Sequence, residues 1–287
     1  MYEAHFGLTR RPFAMTADPE FLFWSESHAL ALSMLRYGVT SRSPVTLLTG
    51  GVGTGKTTLL RALLGELDGE IRVGLVNNVQ EGRGDLLDWI LLAMDEPTQE
   101  AAYVARLRHF QDRLIEVYGE GARTLLVFDE AQNLGPASLE ELRMLSNINA
   151  DGDELLQIVL VGQPGLRETL SRPEMAQLLQ RVGADFHLES LSPEDVEAYL
   201  ARRLELAGAR APIFTEGAAR AIAGATGGIP RLVNSLADLA LVHCASHGRR
   251  EVSADSVTGL LDTLHGSGIF TQFAPAARRP AVVAGRG

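Results

Sequence analysis

A glycine-rich turn around one lysine has the residue types that bind phosphate. Of the 26 lysine and arginine residues in the chain, Lys56 is the only lysine. It lies in the run Gly50-Gly51-Val52-Gly53-Thr54-Gly55-Lys56-Thr57, which fits the pattern G-x-x-x-x-G-K-[ST]. Backbone N–H groups of such a turn converge on phosphate oxygens, and a compact ammonium group fits beside them better than a guanidinium. The spacing therefore predicts a site for a polyphosphate.

The segments on either side of this turn are the elements that such a site needs. Residues 45–49 form a short apolar run typical of a buried strand, and residues 57–64 predict a helix. The helix N-terminus favours negative charge, and the glycines let the backbone approach a ligand closely. We expect Lys56 to contact the β- and γ-phosphates of ATP, with residues 50–55 and Thr58 around them.

Two acidic side chains end a later buried-strand pattern. Residues 124–128 are apolar or β-branched, and Asp129 and Glu130 follow them directly. Ligands of open α/β sheets bind at the carboxyl ends of the strands, so these acids are expected at the phosphate site. We expect Asp129 and Thr57 to hold Mg²⁺, and Glu130 to deprotonate the attacking water. The same pattern also suits the start of a solvated loop, but its place after a phosphate loop favours the catalytic interpretation.

The rest of the chain predicts a parallel sheet followed by helices. Further strands are expected at 71–76, 155–162 and 182–188, and further helices at 85–94, 101–118 and from Pro136 to about 149. Alternating strands and helices indicate an α/β fold whose sheet is covered on both faces. Later patterns are helical only, at 193–207, 215–224, 230–246 and 253–264, with Ser192, Thr215 and Ser253 as helix caps.

These patterns divide the chain into three predicted regions. An α/β nucleotide-binding domain that includes the N-terminal segment is expected over residues 1–190, and a small all-helical lid domain over residues 191–268. Residues 269–287 are predicted to be a disordered tail, because this stretch contains no acidic residue and its end is rich in alanine, proline, arginine and glycine.

Composition limits the class of protein and its location. Apolar residues make up 46% and charged residues 22%, which is typical of a globular domain rather than a disordered or fibrous chain. The single cysteine, Cys244, rules out an intramolecular disulfide framework. Signal-peptide and membrane-spanning patterns are lacking, so we expect a cytoplasmic protein. The net charge of −10 argues against non-specific coating of nucleic acid, except through a local basic patch.

Several short motifs point together to one family. In the N-terminal part they are Phe6-Gly7-Leu8, Pro12-Phe13, Asp18-Pro19, Phe21-Leu22, His28 and Tyr37-Gly38. Further along they are Phe128-Asp129-Glu130-Ala131-Gln132, Leu142-Arg143, Leu145-Ser146-Asn147, Gly162-Gln163-Pro164, Gln180-Arg181 and Gly228-Ile229-Pro230-Arg231. Through them, residues 2–268 resemble the AAA+ ATPases, and more narrowly the ExeA-type (GspA) ATPases of general secretion and their exosortase-associated relatives. The phosphate loop and the Asp-Glu pair are generic to NTPases, whereas the N-terminal motifs and Gly-Gln-Pro are more specific.

The resemblance implies an AAA+ P-loop core with a helical lid, and it gives roles to three further residues. Gln163 would be a polar sensor near the γ-phosphate, and Arg231 a second sensor that contacts phosphate from the lid. Arg181 would be an arginine finger that reaches the nucleotide of a neighbouring subunit, since a guanidinium neutralises charge on phosphoryl oxygens. By residue type alone, Arg181 would be a surface arginine. The Asn77-Asn78 pair would restrain the catalytic acid or form a strand-end turn.

The resemblance also implies a function. It suggests an Mg²⁺-dependent ATPase that assembles as a ring or partial ring and drives or regulates a secretion or export machine. ExeA-type proteins commonly continue into a transmembrane segment and a peptidoglycan-binding domain. We expect here a stand-alone cytoplasmic motor domain that docks on an inner-membrane complex through another protein.

Two alternative functions remain open from the sequence. One is an ATP-dependent, DNA-binding regulator of transposition of the TniB or TnsC kind, whose arginines would line the bore of a ring. The other is a nucleotide-gated interaction switch with little catalysis. The presence of Glu130 argues against a pure switch, because a switch does not need a catalytic base.

Overall fold

The structure is a computed structural model that describes residues 2–14, 23–67, 69–77, 84–98, 100, 102–150, 153–266 and 272–273. Three features noted in the sequence, namely Asp18-Pro19, Phe21-Leu22 and Asn78, lie outside these residues. The chain forms two compact units, one of residues Glu26–Glu189 and the other of Met1–Ser25 together with Ser190–Gly287. We call them the α/β unit and the helical unit.

A parallel sheet forms the centre of the α/β unit. Its strands are β1 (Val45–Gly50), β2 (Ile71–Asn77), β3 (Arg123–Asp129), β6 (Leu156–Gly162) and β7 (Val182–Leu188), and a separate antiparallel hairpin pairs β4 (Asn149–Ala150) with β5 (Asp153–Glu154). The order across the sheet is β2-β3-β6-β1-β7, with all neighbours parallel. Parallel neighbours need crossover connections, which here contain helices, so the predicted α/β fold is confirmed. Because β6 lies between β1 and β3, the segments that follow these three strands meet at one edge of the sheet.

Helices cover both faces of this sheet. They are α2 (Glu26–Thr40), α3 (Lys56–Glu66), α4 (Leu86–Ala93), α5 (Tyr103–Gly119), α6 (Pro136–Leu145), α7 (Pro164–Leu170) and α8 (Ala176–Leu179), numbered after α1 (Glu3–Phe6) of the helical unit. Leu126 of β3 belongs to a buried cluster with Leu87 of α4 and Phe110 of α5. The next residue of the strand, Val127, belongs to a second cluster with Leu59 of α3. Burial on both faces explains why the central strands read as continuous apolar runs.

Helix α6 is shorter than the sequence predicts. It ends at Leu145 rather than near residue 149. The side chains of Ser146 and Asn147 both donate to the carbonyl of Arg143, at 2.8 and 3.0 Å, and the backbone N–H of Asn147 bonds to Met144 instead. Such side-chain bonds compete with the helical ladder, so the chain leaves the helix and enters the β4–β5 hairpin.

The helical unit confirms the predicted helices and their caps. Besides α1 it contains α9 (Pro193–Leu206), α10 (Glu216–Thr226), α11 (Pro230–Ser246) and α12 (Ala254–Gly266). The side-chain oxygens of Ser192, Thr215 and Ser253 accept from backbone N–H groups three residues later, at 3.0, 3.1 and 3.3 Å. These bonds satisfy N–H groups that a helix start leaves without an intrahelical partner.

The N-terminal segment packs differently from the prediction, which includes it in the α/β domain of residues 1–190. Tyr2, Leu8 and Phe13 are buried in the core of the helical unit. Arg203 of α9, itself only 6% exposed, donates to the carbonyl of Pro12 at 2.6 Å. Residues up to Ser25 therefore group with the helical unit, and the α/β unit begins at Glu26.

The predicted tail falls mostly outside the described residues, with one informative exception. Phe273 is buried in the core of the helical unit, and its carbonyl lies 3.0 Å from Nε2 of His265. Cys244 is buried in the same core, as its apolar surroundings in the sequence predict. None of the helices in the described part of the chain is long and apolar enough to cross a membrane.

Candidate functional site

The loop between β1 and α3 is shaped by two glycines. Gly53 and Gly55 have φ angles of 80° and 107°, a region that residues with a side chain rarely adopt. A Cβ on Gly55 would also lie 3.0 Å from Nε2 of the buried His28. The predicted phosphate-binding residues that lie before or within this turn are Gly50, Gly51, Val52, Gly53, Thr54 and Gly55, and those in the first turn of α3 are Lys56, Thr57 and Thr58. The loop thus leads directly into a helix N-terminus, which favours anions.

Two buried side chains brace this loop from within the chain. The hydroxyl of Thr54 donates to the carbonyl of Gly51 at 2.9 Å, and Nε2 of His28 lies 3.0 Å from the carbonyl of Thr54. In the sequence His28 is part of a family motif, but its contact with the loop could not be predicted, because nothing in the spacing links α2 to the loop. The loop is consequently held in shape by its own side chains and by α2.

Lys56 is buried against the loop. Its Nζ donates to the carbonyls of Gly50 and Gly51, at 2.9 and 2.8 Å. Burial lowers the pKa of Lys56, and the negative charges of Glu130 and Asp129 oppose that shift. The loop carbonyls therefore hold a single ammonium group, which also feels the charges of Asp129 and Glu130.

The ends of α3 and β3 meet through a direct hydrogen bond. The hydroxyl of Thr57 donates to Oδ2 of Asp129 at 3.0 Å. The other carboxylate oxygen, Oδ1, accepts from the backbone N–H of Glu130 at 2.9 Å. Hydroxyl and carboxylate oxygens are ligands that Mg²⁺ prefers, so this pair is the candidate metal site.

The acid after Asp129 is held by two glutamine side chains. Glu130 has a φ angle of 56°, which is unusual for a residue with a side chain. Its Oε2 accepts from Nε2 of Gln132 at 2.5 Å and lies 3.4 Å from Nε2 of Gln163. Gln163 follows β6, so the structure brings this predicted residue beside the predicted base. Gln132 has no predicted role from the sequence. Its place in the family motif Phe128–Gln132 was the signal that could have pointed to it.

Arg181 lies at the opposite edge of the sheet from the phosphate loop. It precedes β7, and its carbonyl accepts from the N–H of Val45, the first residue of β1. The guanidinium donates to the carbonyl of Ser146 at 2.9 Å and to Oδ1 of Asn147, and it lies 3.9 Å from Glu154. At about 3.3 Å per residue, the length of β1 puts about 16 Å between the two edges. Arg181 is therefore not part of the phosphate site of its own chain.

Arg231 lies in the helical unit, in the first turn of α11. It is exposed, and its guanidinium forms no hydrogen bond or ion pair within the described residues. The turn before it depends on Gly228, where φ is 69° and a Cβ would lie 1.9 Å from the carbonyl of Leu191. The connection between α10 and α11 therefore requires glycine at 228.

The fold and this site define a P-loop protein of the AAA+ class. Residues 39–170 match the family model described as an AAA domain. The chain is also 40% identical, over 270 residues, to General secretion pathway protein A of Aeromonas hydrophila. That match covers 91% of this chain and 49% of the relative, so the chain spans about half the length of the curated protein it matches. The chain thus has an AAA+ fold and is similar to general secretion pathway protein A.

Solved structures agree with the fold. The ORC2 protein of Aeropyrum pernix, in its ADPNP-ADP complexes, has a TM-score of 0.60 at 22% identity, over 88% of this chain and 71% of that one. Cdc6p from Pyrobaculum aerophilum has a TM-score of 0.65 at 18% identity, over 88% and 70%. Drosophila ORC bound to DNA has a TM-score of 0.68 at 16% identity, over 91% and 66%.

Proposed function

We propose that this protein binds ATP with Mg²⁺ and hydrolyses it as an oligomeric ATPase that drives or regulates a secretion- or export-type machine. One observation carries the proposal: Thr57 and Asp129 lie in hydrogen-bond contact beside Glu130, at the end of a phosphate loop. A binding loop alone would suit a switch, whereas an acid positioned beside the metal pair suits hydrolysis.

The residues present fit ATP and Mg²⁺. The glycines leave room for close approach of phosphate to the backbone, and Lys56 supplies the one buried ammonium among the described residues. Thr57 would hold Mg²⁺ directly and Asp129 would hold it through water. When bound, the metal neutralises charge that develops on the phosphate oxygens.

The chain's own groups would then perform the proton transfer. Glu130 orients the attacking water and accepts its proton, and Gln163 places a polar amide beside it, toward the γ-phosphate. Phosphoryl transfer depends mainly on positioning and on charge stabilisation. The hydrogen bonds that hold Glu130 suit that requirement.

Assembly of several subunits would supply further positive charge to the nucleotide. Since Arg181 lies at the far edge of its own sheet, we assign it to the nucleotide of a neighbouring subunit, and Arg231 to a phosphate contact made from the lid. The similarity to general secretion pathway protein A supports a secretion or export role. We further propose a protein partner at the inner membrane and a cytoplasmic location for this chain.

The test is the ATPase rate per subunit as a function of protein concentration, with Mg²⁺, for the wild type and Arg181→Ala. We expect the rate to rise with concentration, and Arg181→Ala to lose about 10³-fold in kcat without weaker ATP binding. Arg172→Ala, which removes an exposed arginine instead of the half-buried Arg181, serves as the control and keeps its rate within about twofold. An ATPase rate that depends neither on protein concentration nor on Arg181 would contradict the proposal that two subunits share the site. Strong stimulation of the ATPase rate by duplex DNA would instead favour a DNA-binding regulator of transposition.

A further inference from the structure

Gln132 joins the acid after β3 to the end of β6. Its Nε2 donates to Oε2 of Glu130 at 2.5 Å, and its Oε1 accepts from the backbone N–H of Gln163 at 2.9 Å. Gln132 lies in a single 3-10 turn, Ala131–Asn133, that begins directly after Glu130. One side chain therefore spans two strand ends that the sheet already places next to each other.

The orientation of this amide follows from its two partners. A backbone N–H can pair only with the carbonyl end of the glutamine, and a carboxylate can pair only with the amide N–H end. A flipped amide would lose both hydrogen bonds and would put Oε1 against the negative charge of Glu130. The contacts of Gln132 thus leave one arrangement that satisfies both ends.

The backbone around Gln132 is shaped to accept it. A Cβ on Gly162, the last residue of β6, would lie 3.0 Å from Oε1 of Gln132 and 2.8 Å from Cδ2 of Leu166. Glu130 adopts its left-handed φ of 56°, and the N–H of Asn133 closes the turn on the Glu130 carbonyl at 3.0 Å. The absence of a side chain at Gly162 and the left-handed backbone of Glu130 both favour the contacts that Gln132 makes with Glu130 and Gln163.

The two glutamines that approach Glu130 differ in how they are held. Gln132 is anchored at both ends, whereas the side chain of Gln163 lies at 3.4 Å from Oε2, near the limit of a hydrogen bond. A charge-assisted bond at the shorter distance is the stronger one. Gln163 can therefore turn toward a phosphate while Gln132 keeps its hold on Glu130.

We propose that Gln132 is a positioning residue that fixes the carboxylate of Glu130 relative to the backbone of Gln163, so that base and sensor are placed as one unit. This inference rests on the proposed ATPase function for its kinetic consequence. Its structural basis, a bond between Gln132 and Glu130, is independent of that function.

The kinetic test compares Gln132→Ala with the wild type. We expect kcat to fall about tenfold or more, because a base that is poorly positioned transfers protons less often, while KM and the affinity for a fluorescent ATP analogue stay within about twofold. Gln132→Ala added to Glu130→Gln should cause no further loss, since the bridge acts through the acid. Gln111→Ala on α5, a half-buried glutamine outside this network, is the matched control.

The second measurement detects the bond in nucleotide-free protein. Glutamine side chains are labelled with ¹⁵N, and the amide signal that disappears in Gln132→Ala is assigned to Gln132. We expect Glu130→Ala to move this signal to the position of a solvent-exposed amide. An unmoved signal, an unchanged kcat in Gln132→Ala or an additive loss in the double variant would overturn the inference. A wild type that binds ATP without hydrolysing it, with the amide shift intact, would overturn the proposed function alone.

Discussion

The hydroxyl of Thr57 donates to Oδ2 of Asp129 at 3.0 Å, although 72 residues separate the two in the chain. The sheet order explains this contact, because β1 and β3 flank β6 and their following segments lie at the same edge. A helix start and a strand end are both rigid, so the two oxygens are held at this distance before any ligand binds. This arrangement suits the Mg²⁺ site proposed above, because both oxygens would already be in place when the metal binds.

Lys56 gives a pH dependence whose sign follows from its burial. Burial lowers the pKa of Lys56 below 10.5 in the folded state, so the unfolded chain binds this proton more tightly. Burial of the protonated Lys56 lowers the free energy of unfolding. This loss is complete below the pKa of Lys56 in the folded state, and it disappears as the pH rises above 10.5. We expect the stability of the wild type, relative to Lys56→Met, to increase from pH 7.5 to pH 10 in urea unfolding of nucleotide-free protein. A difference that stays constant or decreases would contradict this assignment.

Gly162 is predicted to be essential for the position of Gln132. In Gly162→Ala the new Cβ would crowd Oε1 of Gln132 and Leu166, so we expect kcat to fall about tenfold and stability to decrease by about 1–3 kcal/mol. Gly165→Ala in α7 is the matched control, because a Cβ there meets no atom within 4 Å. It should keep kcat within about twofold and gain up to about 1 kcal/mol. Equal kinetics for the two variants would contradict the prediction.

Arg203 is predicted to anchor the N-terminal segment to the helical unit. It donates to the carbonyl of Pro12 at 2.6 Å and to the hydroxyl of Tyr199 at 2.7 Å. A lysine cannot make both bonds in the same geometry, so Arg203→Lys should cost about 2–4 kcal/mol in chemical unfolding. The neighbouring Arg202 forms an exposed pair with Glu205, and Arg202→Lys should cost less than about 0.5 kcal/mol. Similar costs for the two substitutions would show that Arg203 does not anchor the segment.

Gly228 is predicted to tolerate no side chain. A Cβ would lie 1.9 Å from the carbonyl of Leu191, a backbone atom that cannot move aside, and φ is already 69°. Gly228→Ala should therefore lower stability by about 3 kcal/mol or more. Gly224→Ala inside α10 has open space around its Cβ and should raise stability slightly. Thermal unfolding of the two variants distinguishes a local clash from a general effect of alanine.

The sequence was sufficient to predict the strands of the sheet and the glycine-rich loop between a strand and a helix. Strands buried on both faces produce continuous apolar runs, and the spacing of the glycines with Lys56 is fixed by the ligand, so both leave a local pattern. The positions of Asp129 and Glu130 could be predicted because an apolar strand pattern directly precedes them. Gln163, Arg181 and Arg231 were accessible only through the resemblance, because each is one polar residue at the end of an element.

Other features left no local pattern in the sequence. Tyr2, Leu8 and Phe13 follow neither a helical nor a strand period, so nothing indicated that they pack in the helical unit. The early end of α6 depends on side-chain bonds to the carbonyl of Arg143. The role of Gln132 depends on a tertiary contact with Gln163. Gln132 follows β3 and Gln163 follows β6, so no local pattern links the two residues.

The most direct test of the central claim compares ATP binding and hydrolysis in the wild type and Glu130→Gln. The amide keeps the size of the side chain but cannot accept the proton of the attacking water. We expect ATP affinity within about twofold of the wild type and a kcat lower by about 10²-fold or more. Glu168→Gln, an exposed acid on α7, is the control and should behave as the wild type. Glu130→Gln that hydrolyses ATP at the wild-type rate would contradict the account, because Glu130 could not then be the base.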